Sequence, residues 1–238
     1  MKILLGKKLN MTQIFAEDGS VVPVTAVKVG NGVVTQIKNE KKEGYNALQL
    51  GFSEAGKHIN KAMQGHIKGL LSNPELREVR VENVENFEKG QIFGLDSFEV
   101  GEKISVSGLT KGQGYAGVVK RHGFHGSSKT HGAKHSLRSP GSIGSTDSAR
   151  VFPGKRMSGH MGNVRATVIN LEIAEIDKEN GIIKIKGAVP GARNGLVEIR
   201  GEGEMKVISD DSKKEATKEI KSIQTDAVLN KEENVNKE

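Results

Sequence analysis

The chain is 238 residues long, has no cysteine, and carries a formal net charge of +7, from 36 Lys and Arg against 29 Asp and Glu. The missing cysteines exclude a disulfide framework, a thiolate metal site and a cysteine nucleophile. No apolar run approaches the roughly 18 to 20 residues that a membrane-spanning helix needs. The start, Met1 to Lys8, is too short and too soon charged for a signal peptide, so the expectation is a soluble protein in a reducing cytoplasmic setting, with no membrane association.

The elements expected from the pattern are mostly strands. Met11 to Phe15 and Val21 to Val29 flank Asp18-Gly19, a strong hairpin signal. Asn31-Gly32 then leads into Val33 to Ile37, Lys38 to Glu43 reads as a charged loop, and Tyr45 to Phe52 as another strand. Ala55, Ile59, Met63, Ile67 and Leu71 recur at helical spacing, which predicts a helix over 53–71 capped by Ser53, although Gly56, Gly65 and Gly69 weaken it. Further strands are expected at Arg77 to Val81, Lys103 to Leu109, Ala166 to Ile176, Ile182 to Lys186 and Leu196 to Arg200. Many short strands between glycine-rich turns predict a barrel or sandwich. The fold expected is mainly β, a barrel formed by residues 1–110 together with 166–203, with a small α+β insertion at about 40–90.

Partitioning the charge is more informative than its sum. Residues 111–165 hold ten basic side chains and one acid, Asp147, a balance of +9; the remaining 26 bases and 28 acids come to −2. The ten are Lys111, Lys120, Arg121, Lys129, Lys134, Arg138, Arg150, Lys155, Arg156 and Arg165, accompanied by His122, His125, His131, His135 and His160 and by eleven of the thirty glycines. Between His122 and Pro153 the apolar residues follow no period. Such a segment buries too little surface to offset its own ordering entropy, and a loop of this length is characteristically functional or disordered. It reads as a long basic extended arm that a polyanion orders. Residues 204–238 read as a solvated, disordered charged tail.

Several motifs within the arm need weighing. Gly112-Gln113-Gly114-Tyr115-Ala116-Gly117 matches the dinucleotide fingerprint, but no helix is expected after it, and the next acid, Asp147, comes too late to hold a ribose. His122-x-x-His125 and His131-x-x-x-His135 lack the carboxylates or further converging ligands of a zinc site. Ser136 and Ser158 lie near histidines, but only Asp147 is present to orient a base, and no nucleophile elbow occurs. Phosphate neutralisation by Lys and Arg is the remaining chemistry. Gly112, Gly114 and Gly117 let backbone approach phosphate, the imidazoles can contact RNA, and the shortage of aromatics (7 Phe, 2 Tyr, no Trp) disfavours a stacking module for single strands. A merely solvated basic loop is the bland alternative.

Several ordered blocks together resemble one family. Gly6 to Phe15, Phe98 to Arg121, Ser139 to Gly144, Phe152 to Gly162 and Lys186 to Gly191 resemble the large-subunit ribosomal protein L-three family in its bacterial form. The resemblance implies a translation-factor-like β-barrel, a place in the large ribosomal subunit in the cytoplasm, direct binding to 23S ribosomal RNA, neighbouring ribosomal proteins as partners, and a role early in assembly. It implies no enzymatic activity, cofactor, metal or small-molecule substrate. It also implies that the loop tip, Ser139, Pro140, Gly141, Ser142, Ile143, Gly144 and Ser145, lies near the peptidyl-transferase centre. Ser105 and Gln113 depart from the family signature, and Ser145 stands where some members carry a methylated glutamine, so that modification is not carried over. A free-standing RNA- or nucleoid-binding factor using the same arm is the alternative.

Overall fold

A computed structural model describes residues 1–53, 60–67, 69–71 and 74–206. In chain order the strands are β1 (Lys2–Phe15), β2 (Val21–Val29), β3 (Gly32–Lys38), β4 (Ala47–Ser53), β5 (Pro74–Arg80), β6 (Ile92–Phe93), β7 (Lys103–Leu109), β8 (Gly114–Ala116), β9 (Gly159–Met161), β10 (Arg165–Asp177), β11 (Ile182–Lys186) and β12 (Leu196–Gly201). Among the described residues three short helices accompany them: α1 (Glu40–Glu43), α2 (Lys61–His66) and α3 (Val118–His122). The chain divides into two compact units, one of Met1–Gly108 with the residues from Thr167 onward, the other of Leu109–Ala166.

The first unit is mainly β. Six strands close a barrel in the order β1-β12-β7-β10-β11-β2, and a four-stranded sheet runs β5-β4-β3-β6. The hairpin at Asp18-Gly19 forms as its sequence predicts, with the Asp18 carboxylate accepting from the Ser20 amide (2.9 Å) and hydroxyl (2.7 Å). β1 is long enough to serve two neighbours: Lys2–Lys7 pairs with β12 and Gly6–Phe15 with β2, with a register shift between Lys8 and Met11. Ile3, Leu4 and Leu5 are all buried. Side chains alternate along a strand, so both faces of β1 are covered. β1 also lies against β4, and one apolar core takes in barrel residues such as Leu5, Val27, Ile183 and Ile199 together with Leu48, Leu50 and Phe52 of the second sheet.

Two expectations in this unit are corrected. The segment read as a charged loop contains the single turn α1, closed by Gly44 in the left-handed conformation (φ 81°). The predicted helix is much shorter than 53–71. Ser53 ends β4, and the described helix starts at Lys61, where the Asn60 carbonyl oxygen Oδ1 accepts from the Met63 amide at 2.9 Å; a side-chain acceptor at that position satisfies an otherwise orphaned helix N–H. Ala55, Gly56 and Ile59 lie outside the described residues, as does most of the tail (207–238).

Candidate nucleic-acid interface

The second unit, Leu109–Ala166, contains the whole basic segment. Its two ends are joined first. The Thr110 amide donates to the Val164 carbonyl (2.9 Å), and the Thr110 hydroxyl is bonded to both backbone groups of Val164. The Gln113 amide then donates to the Met161 carbonyl (2.9 Å), and β8 and β9 form an antiparallel ribbon with Gly114 opposite Met161, Tyr115 opposite His160 and Ala116 opposite Gly159. The approach here is close. Gly162 has φ 74°, and a Cβ on it would run into the Lys111 carbonyl and lie within 3.1 Å of the Gly112 Cα. Only glycine fits that crossing.

α3 follows directly on β8, starting after Gly117 and ending at Gly123 (φ 72°). This corrects the expectation that no helix follows the glycine-rich run. One turn of five residues is too short to show periodicity, and it is held by contacts from the returning strand. The Arg121 guanidinium donates to the Met157 carbonyl (2.8 Å), His122 Nε2 lies 3.1 Å from the same oxygen, and Arg121 packs where a Gly159 side chain would otherwise be. The run still lacks the longer helix that would present a dinucleotide pyrophosphate.

Between α3 and β9 the backbone is irregular, apart from a single 3-10 turn at Thr146–Ser148. Positive φ angles occur at seven glycines of this unit and at His131, Ala149 and Asn163, so the path follows from local backbone chirality more than from a core. The Ser127 amide donates to the Leu137 carbonyl (3.1 Å), which brings Gly123–Ser127 beside Ser139, Pro140 and Gly141 around an open cleft of about 320 Å³. His125 lines that cleft; Lys129, His131, Lys134, His135 and Arg138 are exposed between its two walls in sequence. The tip is folded on itself by serine hydroxyls: Ser139 donates to the Ser136 carbonyl, Ser142 to Gly144 and Ser148 to Ser145.

The electrostatics follow from what the cations lack. Lys111, Lys120, Lys129, Lys134, Arg138, Arg150, Lys155 and Arg156 are exposed, and among the described residues none of these eight has a carboxylate partner or a side-chain hydrogen bond. Arg165 is exposed and opens β10. Arg121 differs from the others in being half-buried and committed to Met157. The first unit contrasts with this: Lys2 pairs with Glu102, Lys184 with Glu175 and Arg200 with Glu198. Among the described residues no cluster of three or more His, Asp or Glu is placed to hold a metal ion, and no helix is long and apolar enough to cross a membrane.

Sequence reasoning weighed Ser158 only as a nucleophile beside His160, and did not single out Tyr115 or the Met157 carbonyl. Tyr115 is 77% exposed, with its hydroxyl 2.5 Å from that of Ser158. The only cue was a pair of short glycine-led triplets, Gly114-Tyr115-Ala116 and Gly159-His160-Met161, one near each end of the arm.

Comparison with known proteins agrees with this geometry. A family model described as ribosomal protein L3 matches residues 77–181. Large ribosomal subunit protein uL3 of Desulforapulum autotrophicum is 54% identical over 203 residues, covering 84% of this chain and 98% of that protein. The proteins of the same name from Syntrophobacter fumaroxidans (47% over 206 residues, 84% and 97%) and Thermotoga petrophila (49% over 203 residues, 84% and 97%) are similar over the same extent. With this coverage of both barrel and arm, the chain belongs to the ribosomal protein L3 family.

Proposed function

We propose that the protein is a structural constituent of the large ribosomal subunit in the cytoplasm, binding 23S ribosomal RNA directly through residues 111–165 and contacting neighbouring ribosomal proteins. The observation that carries this reading is the set of eight exposed cations, without side-chain partners among the described residues, on a glycine-rich backbone. Cations left in water at no desolvation cost bind phosphates by releasing the counterions of the RNA. The glycine steps Gly112, Gly114 and Gly117 admit phosphate close to the backbone beside Lys111 and Lys120. Lys155, Arg156 and Arg165 do the same on the returning strand, while Arg121 and His122 shape the neck between the two. Residues 1–110 with 166–203 serve as the anchoring barrel domain, and residues 204–238 as an appended tail.

In this reading the tip, Ser139 to Ser145, runs toward the peptidyl-transferase centre and contributes shape, with the bond chemistry left to RNA. Association precedes closure of the RNA around the arm, which gives the protein its part in early assembly. The test is co-sedimentation of the tagged chain with the large subunit through a high-salt wash, combined with crosslinking of residues 111–165 to RNA in cells. The chain should remain with the subunit, and the crosslinks should map to 23S ribosomal RNA. A chain stripped by the wash and crosslinked to scattered RNAs would instead identify a free-standing RNA-binding factor.

A further inference from the structure

The β8–β9 ribbon has one filled face and one open face. Side chains of directly opposed residues in an antiparallel pair point the same way. Ala116 is buried, and its partner Gly159 has the Arg121 guanidinium where a side chain would be, with Nη1 2.8 Å from an ideal Cβ. The opposite face carries the pair Tyr115 and His160, with Ser158 two residues before His160 and so on the same side. All three are exposed. The Tyr115 ring is held at both ends, by its Cα in the ribbon and by its hydroxyl on Ser158, while its π-face stays in water. An aromatic fixed in this way has already lost the rotamer freedom that binding would otherwise cost.

From this arrangement we infer that the Tyr115–His160 face is a stacking site for one unpaired nucleobase of the RNA. The inference deepens the RNA-binding reading above and rests on it. Its surroundings select a base over an apolar protein side chain: Lys111 and Lys120 flank the site in sequence and carry exposed ammonium groups that have no partner among the described residues. A nucleobase is planar, stacks on phenol and imidazole alike, and comes joined to the phosphates those lysines attract. A base stacked on Tyr115 also explains why a chain with so few aromatics places its most exposed one here.

The experiment measures binding of the full-length chain to transcribed 23S ribosomal RNA over a range of salt concentrations, for Tyr115→Ala, Tyr115→Leu, Tyr115→Phe and Ser158→Ala. Tyr115→Ala and Tyr115→Leu should each bind about 10-fold more weakly with an unchanged salt slope, because no charge is removed. Tyr115→Phe and Ser158→Ala should stay within about 2-fold, because the π-face remains. Circular dichroism and exchange of the Gln113 amide report whether the ribbon is intact in each variant. Parent-like affinity in both Tyr115→Ala and Tyr115→Leu, with a steep salt slope retained, would overturn the stacking site and leave the RNA-binding reading standing. A shallow slope in the parent chain would remove the RNA-binding reading first.

Discussion

Binding to 23S ribosomal RNA should fall steeply with salt, and the steepness follows from the structure. Each phosphate neutralised contributes about 0.7 to 0.9 to the log–log slope. If all eight exposed cations that lack partners among the described residues reach phosphates, the slope is about −6 to −7; if about five do, it is about −4. Doubling the salt then weakens binding by about 16- to 130-fold. Lys155 and Arg156 are adjacent, exposed and without side-chain partners among the described residues. Replacing both with alanine should make the slope shallower by about 1.5 while leaving the thermal melt unchanged. Charge reversal at the same pair should impair assembly of the large subunit. Filter binding across a few-fold range of KCl, with a parallel melt, measures both quantities. A parent slope shallower than about −2, or a double variant with the parent's slope, would refute phosphate neutralisation by the arm.

Three further outcomes are expected. Gly162→Ala forces a Cβ against the Lys111 carbonyl at a left-handed backbone position, so the neck should open by about 2 kcal/mol; hydrogen exchange at the Gln113 amide should accelerate and RNA affinity fall, and unchanged exchange would contradict the packing described. Phe52→Ala removes a ring that is 2% exposed in the shared core and should cost about 3 to 5 kcal/mol, lowering Tm by about 10 °C in a calorimetric scan; a shift of a degree or two would show that the ring is not in that core. Hydrogen bonds from Lys38 and then Tyr45 hold the Glu78 carboxyl below its ordinary range. The native state therefore favours the ionised form, so its stabilisation is full above the usual carboxylate pKa and is lost as pH falls through the lowered native value. Glu78→Gln should be less stable at neutral pH by under about 1 kcal/mol, because the group is solvent-screened. Denaturant midpoints should show the gap closing in acid, and a gap constant with pH would exclude the mechanism.

The barrel was legible where local rules act alone. The Asp18-Gly19 hairpin, β7, and the β10–β11 pair around Asp177 to Gly181 each announce themselves by alternation next to turn residues. The order β1-β12-β7-β10-β11-β2 was not legible, because closure depends on which edges meet across the whole chain. Ile3-Leu4-Leu5 reads as a plain apolar run until the second sheet is known to cover one side of it. In the arm the charge was legible and the architecture was not. β8, β9 and α3 span three to five residues each, shorter than any period can reveal, and their supports are groups far away in sequence, such as the Met157 carbonyl under Arg121.

The closed neck has a topological consequence. Thr110 is bonded to Val164, and the Ser107 hydroxyl lies 2.7 Å from that of Thr167, so more than fifty residues leave and return through one point. A chain with a free terminus can be threaded through a finished opening one residue at a time. A segment pinned at both ends cannot; whatever surrounds it must admit the doubled strand at once or be laid down around it. If RNA encloses this loop tightly, the connectivity of the protein alone dictates the sequence of events: the loop is in place first, and the walls close afterwards.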